Sequence, residues 1–298
     1  MRGRIEGMFA VPVGHAVAAG LLVAILGLAD LEGAAAEDSM TGSPGPKTLH
    51  VSDAKMLPDG ALSLRDGQEI VLTGLDVGLG LAPASKAFIR ELQALQNAGP
   101  WRLIAAEKDR YDRLAGRFET SDGVWVQERL LRLGFARYGG GVSSADERAL
   151  LLAAEQAARA AWRGVWRNPR YRVRPADIPD DIYNGFQIVE GRIVTVGRSN
   201  GTVFLNFGED WRTDFTAGVS LRLRQKEMPL TADGAPISVY DLEGQLVRLR
   251  GVVRRYNGPY MEIAAADQIE LLDEQQADPV SFRSSSPSDR RRASESTL

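Results

Sequence analysis

Residues 108–138 read KDRYDRLAGRFETSDGVWVQERLLRLGFARY; a glycine-rich break follows, GGGVSS (139–144), and then ADERALLLAAEQAARAAWRGVW (145–166). Asp109, Arg110 and Arg113 crowd Tyr111. Leu114–Glu119 alternates as a half-buried strand does, and Ser121-Asp122-Gly123 is a turn. Val126, Leu130 and Leu133 recur at spacings of three and four, which predicts a helix from Val124 stopped by Gly134. Ser144 with Glu147 three residues on predicts a capping box for a second, alanine-rich helix. That helix places Leu151, Ala154, Ala158 and Ala161 on one side, small enough to pack closely on a sheet.

Upstream, Val51–Leu57, Ala61–Arg65 and Glu69–Leu75 read as strands, joined at Pro58-Asp59-Gly60 and Asp66-Gly67. Asp76 falls where the third of them ends, and Gly78–Pro83 is a loop. Ser85 is placed to cap a helix to Asn97, with Phe88, Leu92 and Leu95 on one face and Gly99-Pro100 as its stop. Trp101–Ala106 is the partner strand of Leu114–Glu119. Downstream the helix signal disappears. Phe186–Gly197, Thr202–Phe207, Val219–Arg224, Leu246–Arg254 and Tyr260–Ile263 are short β runs, with hairpin signals at Asn200-Gly201 and Asn257-Gly258. Five short strands with glycine turns predict a small all-β barrel of the OB type. Its aromatic residues Phe204, Phe207, Trp211, Phe215, Tyr256 and Tyr260, beside Arg212, Arg254 and Arg255, are candidates for base stacking and phosphate contact.

The ends of the chain read differently. Residues 1–36 carry Arg2 and Arg4, an apolar run from Ala16 to Ala29 and small residues at Ala34–Ala36, the pattern of a cleaved export signal. The rival reading is an uncleaved anchor over about 8–29. Residues 37–47 are a polar linker rich in Pro and Gly. Residues 273–298 hold Ser, Pro, Arg and acids with little to bury, the composition of a disordered tail. The 298 residues carry a formal net charge of −3, so no bulk attraction to nucleic acid is expected. The absence of cysteine excludes disulfides and thiolate metal sites, and with His15 and His50 as the only histidines, a multi-histidine zinc site or a Ser-His-Asp triad is a poor fit.

The loop Asp109-Arg-Tyr-Asp-Arg113-Leu-Ala115, the pattern Gly123-x-x-Val126-x-x-x-Leu130-x-x-x-Gly134-x-Ala136 and the closing Gly164-x-Trp166 resemble the staphylococcal nuclease (thermonuclease-like) family over about residues 48–168. The resemblance implies a five-stranded OB-type barrel with helices (48–170); with the linker (171–180) and the OB-like barrel (181–272) read from the residues themselves, the fold expected is mixed β/α, two barrels in tandem. It also implies calcium held by strand and hairpin carboxylates, a glutamate that readies water, and two arginines that grip the phosphate. A hard cation and forked guanidinium donors stabilise the charge that builds on a phosphodiester under attack.

On this chain Asp76 matches the strand-end ligand and Asp59 is the candidate hairpin ligand. Arg113 matches the loop arginine, with Asp109 and Tyr111 beside it in the binding loop. The strand arginine is replaced by Val71 and the glutamate by Leu79. Calcium needs six to eight oxygens, so the expectation is a degenerate hydrolytic site. The binding residues are then Asp109, Tyr111, Arg212, Arg254 and Tyr256, and the expected partner is single-stranded nucleic acid or an envelope protein, met by a chain that is periplasmic or secreted. The alternative is a calcium-dependent nuclease whose base has moved, for example to Glu69 or Asp112.

Overall fold

The computed structural model describes residues 47–77, 86–142, 144–176, 184–210, 212–220 and 236–277. The expectations for the leader, for the linker before Lys47, for Leu79, Ser85 and Trp211, and for the tail beyond Ala277 fall outside these residues.

The first barrel opens with β1 (Lys47–Leu49), β2 (Lys55–Met56), β3 (Leu62–Ser63), β4 (Glu69–Leu72) and β5 (Gly74–Asp76). Then come α1 (Lys86–Asn97), β6 (Trp101–Lys108), β7 (Leu114–Glu119), α2 (Val126–Arg132), β8 (Arg137–Gly140) and α3 (Ala145–Ala160). Its main sheet has the order β1-β6-β7-β4-β3-β2. The two outer strands, β1 and β2, are neighbours in sequence, so one bent segment supplies both edges and the sheet curls. A continuous strand over Val51–Leu57 is therefore not what forms: the chain turns at Ser52-Asp53, where Asp53 takes a positive φ, and pairs again only at Lys55. β4 and β7 pair in parallel while every other ladder of this sheet is antiparallel. Along β7 the residues alternate buried and half-buried, as the sequence period requires. The inward set, Leu62, Ile70, Leu103 and Phe118, meets Phe88, Leu92 and Leu95 of α1 and Val126 and Leu130 of α2. Each such side chain contributes about 1.5–3 kcal/mol by leaving water.

The cap expected at Ser144 forms with one change. Ser144 accepts a hydrogen bond from the Glu147 N–H, but the Glu147 carboxylate receives Arg117 at 2.7 Å. Ala161, expected on the packed side of α3, is the exposed C-cap, since the helix ends at Ala160. Gly134 is required where it stands: its φ is +73°, and a Cβ there would lie 2.5 Å from the Arg163 carbonyl oxygen.

Short 3-10 turns at Gly164–Arg167 and Pro169–Tyr171 carry the chain to β9 (Arg174–Pro175). Tyr171 and Val173 are buried, and β9 pairs with β10 (Gly185–Arg192). The second barrel continues with β11 (Thr195–Ser199), β12 (Thr202–Asn206), β13 (Thr216–Ser220), β14 (Leu246–Tyr256), β15 (Gly258–Ile263) and β16 (Ile269–Leu271). β10 pairs with β14, and the adjoining β11 pairs with β12. β13 and β15 pair in parallel. From β10 to β15 this repeats the connectivity of the first barrel, a bent first strand, a meander and a parallel β13–β15 closure, with β9 added in parallel beside β10 and β16 beside β14. Phe207 and Phe215, read as stacking candidates, lie in this barrel's core with ring centroids 5.1 Å apart. A barrel this small needs large inward side chains to fill it. Among the described residues no helix is long and apolar enough to cross a membrane.

Candidate functional site

The Asp109–Arg113 loop is built around one carboxylate. Asp109 Oδ1 accepts from the N–H groups of Tyr111 (2.9 Å) and Arg113 (3.0 Å), and Oδ2 accepts from Arg113 Nε (2.8 Å). Asp112 takes a positive φ to complete the turn. The Arg113 guanidinium also donates through Nη1 to Asp59, so the structure brings the hairpin and loop candidates together. Burial opposes the charged forms of Asp59 and Asp109, but Arg113 outweighs it and holds both carboxyls below their ordinary value. Burial likewise works against the Arg113 cation, and the two carboxylates raise it overall. Tyr111 is 62% exposed, with the Arg110 and Arg113 guanidiniums 4.8 and 5.2 Å from its ring centre.

Asp76 belongs to a different set. β5 pairs with β8 so that Asp76 faces Arg137. Arg137 Nε and Nη2 both donate to Asp76 Oδ2, at 3.0 and 2.7 Å. Nη2 also reaches the Phe186 carbonyl (3.0 Å) in β10 of the second barrel. The guanidinium lies 4.8 Å from the Phe186 ring centre and 5.4 Å from that of Tyr171. With 4% of its side chain exposed, Arg137 is an internal clamp. A second fork thus does converge on Asp76, but its bonds turn inward across the seam between the barrels. Val71 lies opposite Ala115 in the parallel β4–β7 ladder, with no cation of its own. Arg117, on the same face of β7 as Ala115, is taken by Glu147 and Glu119 and lies 4.3 Å from the Trp125 ring centre.

The seam continues with residues that sequence reasoning missed. Tyr138 donates its hydroxyl to Asp267, which also accepts from the N–H groups of Gly141 (3.0 Å) and Val142 (2.9 Å). Arg250 is fully buried; it donates to Glu155 (2.9 Å), Glu270 (2.8 Å) and the Tyr138 carbonyl (3.2 Å). Arg248 joins Glu190 (2.7 Å) and Glu270 (2.9 Å). Removing one member of such a network leaves an uncompensated buried charge, at a cost of about 3–5 kcal/mol. The only sequence signal was an arginine at alternate positions in the apolar run 246–250. Which acids meet those arginines is decided by pairing across the whole chain.

The second-barrel candidates gather at one hairpin end. Arg254 pairs across β14–β15 with Tyr260, and the rings of Tyr256 and Tyr260 are 5.5 Å apart. Arg254 and Tyr256 are exposed and share a strand face. Gly258 packs its backbone against Thr213 and Asp214, where a Cβ would come within 3 Å, so the turn sits on the loop that bears Arg212. Burial, then the nearby Glu262, push the Tyr260 hydroxyl up to about 12, so it stays neutral. Within the 209–214 loop Asp214 accepts from the Asp210 N–H and Asp210 from the Arg212 N–H, which makes it a self-bonded turn.

Two curled sheets of the same connectivity, the first carrying three helices and an Asp-x-Tyr-x-Arg loop, define a nuclease-like OB-type domain followed by a second β domain. The first is a staphylococcal-nuclease-like domain: residues 84–168 match the family model described as staphylococcal nuclease homologue. That match spans well under half of the chain. It includes Asp109 and Arg113, and begins after Asp59, Val71 and Asp76. No curated protein matches the chain. The calcium that the resemblance implies needs six to eight oxygens. Asp76 is bound by Arg137 and Asp59 by Arg113, residues 78–85 contain no acid, and among the described residues no group of three acids or histidines is placed to hold a metal. The carboxylates described do not fit such an ion.

Proposed function

We propose that this nuclease-family chain is an exported cell-envelope protein that has lost hydrolysis and binds single-stranded nucleic acid through its second barrel, with no resident calcium. The observation that carries the first half is the Asp76–Arg137 pair. A carboxylate neutralised by a buried guanidinium is a poor cation ligand, and Arg137 is too enclosed to grip a substrate phosphate. The leader pattern of residues 1–36 supports export.

The binding half rests on Arg254, Tyr256 and Tyr260, with Arg212 on the adjoining loop. Bases stack on exposed aromatic faces while guanidinium groups follow phosphates. The net charge of −3 puts the whole burden on this local patch, so affinity should be modest and steeply salt-dependent. Fluorescence anisotropy with a labelled single-stranded oligonucleotide over a salt series tests it. The expected result is binding at low salt that falls as salt rises, with Tyr256→Ala weaker by about fivefold or more, as loss of one base stack implies. Absence of binding at low salt, or equal binding by Tyr256→Ala and Arg254→Gln, would overturn the reading.

A further inference from the structure

A cleft of about 490 Å³ lies where the end of α3, the 3-10 turns that follow it and the Glu274–Gln276 turn of the second barrel meet. Arg159, Trp162, Trp166 and Arg172 line it, with Gln156, Gln275 and Gln276 completing the polar wall and no acidic side chain among the lining residues. Three of these residues carry a buried N–H with no hydrogen-bond partner: Arg159 at Nη1, Trp166 at Nε1 and Arg172 at Nε. Trp166 is fully buried. The Arg172 guanidinium stands 4.4 Å from the ring centre of Trp162, which is half exposed.

Buried donors are almost always paired in folded proteins, because a polar group removed from water without a partner is costly. Three residues that line one acid-free cleft each hold an orphaned donor, a concentration that asks for an acceptor. The acids in range of Arg159 are already engaged: Glu155 and Glu270 with Arg250, Glu190 with Arg248. Burial first, and then Arg248, pull Arg159 below the ordinary guanidinium value, which marks its charge as under-compensated.

We propose that this cleft is an oxyanion site that takes a terminal phosphate group. Guanidinium forks match oxyanions. A carboxylate offers two oxygens to three donors from separate elements, whereas a phosphate monoester offers three that diverge. The Trp162 ring at the rim gives a flat apolar surface for whatever carries the phosphate. The site is independent of the Arg254–Tyr256 face and of any hydrolytic role for Asp76.

The test is thermal unfolding and calorimetric titration of the full chain with inorganic phosphate, adenosine monophosphate and adenosine, against chloride at matched ionic strength. Phosphate and the nucleotide should raise the midpoint in a saturable way, while adenosine and chloride do not. Tighter binding of the nucleotide than of inorganic phosphate assigns the group to a nucleotide; equal binding assigns it to free phosphate. Arg159→Met and Arg172→Gln should each weaken phosphate by on the order of tenfold to a hundredfold, as loss of a charged hydrogen-bond donor implies. Arg198→Gln, an exposed charge on β11, should not. If Arg159→Met fails to fold, Arg172→Gln at the cleft's more open edge carries the comparison. No saturable shift with phosphate, the same shift with chloride, or equal losses in Arg198→Gln and Arg172→Gln would overturn the proposal.

Discussion

Replacing Asp76 by alanine removes the only carboxylate among the described residues that is hydrogen-bonded to Arg137. The Arg137 side chain is 4% exposed and that of Asp76 13%, so the pair is shielded from solvent. Deleting one partner of a buried pair costs about 3–5 kcal/mol, chiefly because the other charge is left unpaired. Arg137 keeps the Phe186 carbonyl and two aromatic faces, which places the loss near the lower end, about 3 kcal/mol. For a chain of this size that is a fall in midpoint of about 6–12 °C. The Arg137→Met change made in the same background removes the stranded charge and supplies apolar volume at the seam. The double variant should therefore regain much of the loss, with a coupling above about 1 kcal/mol. Urea and thermal unfolding followed by circular dichroism give all four corners of the cycle. A metal-ligand role predicts the opposite for the single change, since a carboxylate kept for a cation is a liability without it. A loss under about 1 kcal/mol, or losses that simply add, would refute the reasoning.

The remaining expectations concern the seam and the turns. Glu155→Gln leaves the fully buried Arg250 without one of its two carboxylates and should cost about 3 kcal/mol in urea unfolding, whereas Glu147→Gln, in a more exposed pair, should cost under about 1. Gly134→Ala meets both a positive φ and the Arg163 carbonyl, so it should destabilise by more than about 1 kcal/mol; a neutral result would contradict the local geometry. Burial works against the Glu270 carboxylate, yet Arg248 and Arg250 hold it below its ordinary value of 4.5. The unfolded chain therefore binds this proton more readily. The stability the pair gives is intact above about pH 4.5 and is lost as pH falls through the lowered folded-state value. Glu270→Gln should flatten that acid limb; an unchanged limb in an acid titration of stability would contradict the assignment.

Much of the first barrel was legible because its signals are local. Period-two alternation marked β7, the three-four spacing marked α2, and glycines marked the helix stops at 99 and 134 and the turn at 123. The Asp109–Arg113 loop was legible for the same reason, since its carboxylate bonds two and four residues away. What the sequence hid was non-local. Arg137 meets Asp76 across 61 positions, and Tyr138 meets Asp267 across 129. Neither spacing leaves a periodic trace. Phe207 and Phe215 were legible as aromatic but not as inward, because each stands one residue outside a five-residue strand, where alternation no longer says which side faces the core. The same limit explains Ala161: an alanine helix gives little sign of the residue at which burial ends.

The most direct test of lost hydrolysis is cleavage of single-stranded DNA by the purified chain with calcium and with EDTA, beside Asp76→Ala. The account predicts no product above the EDTA control for either protein. Calcium-dependent cleavage that Asp76→Ala abolishes would contradict it.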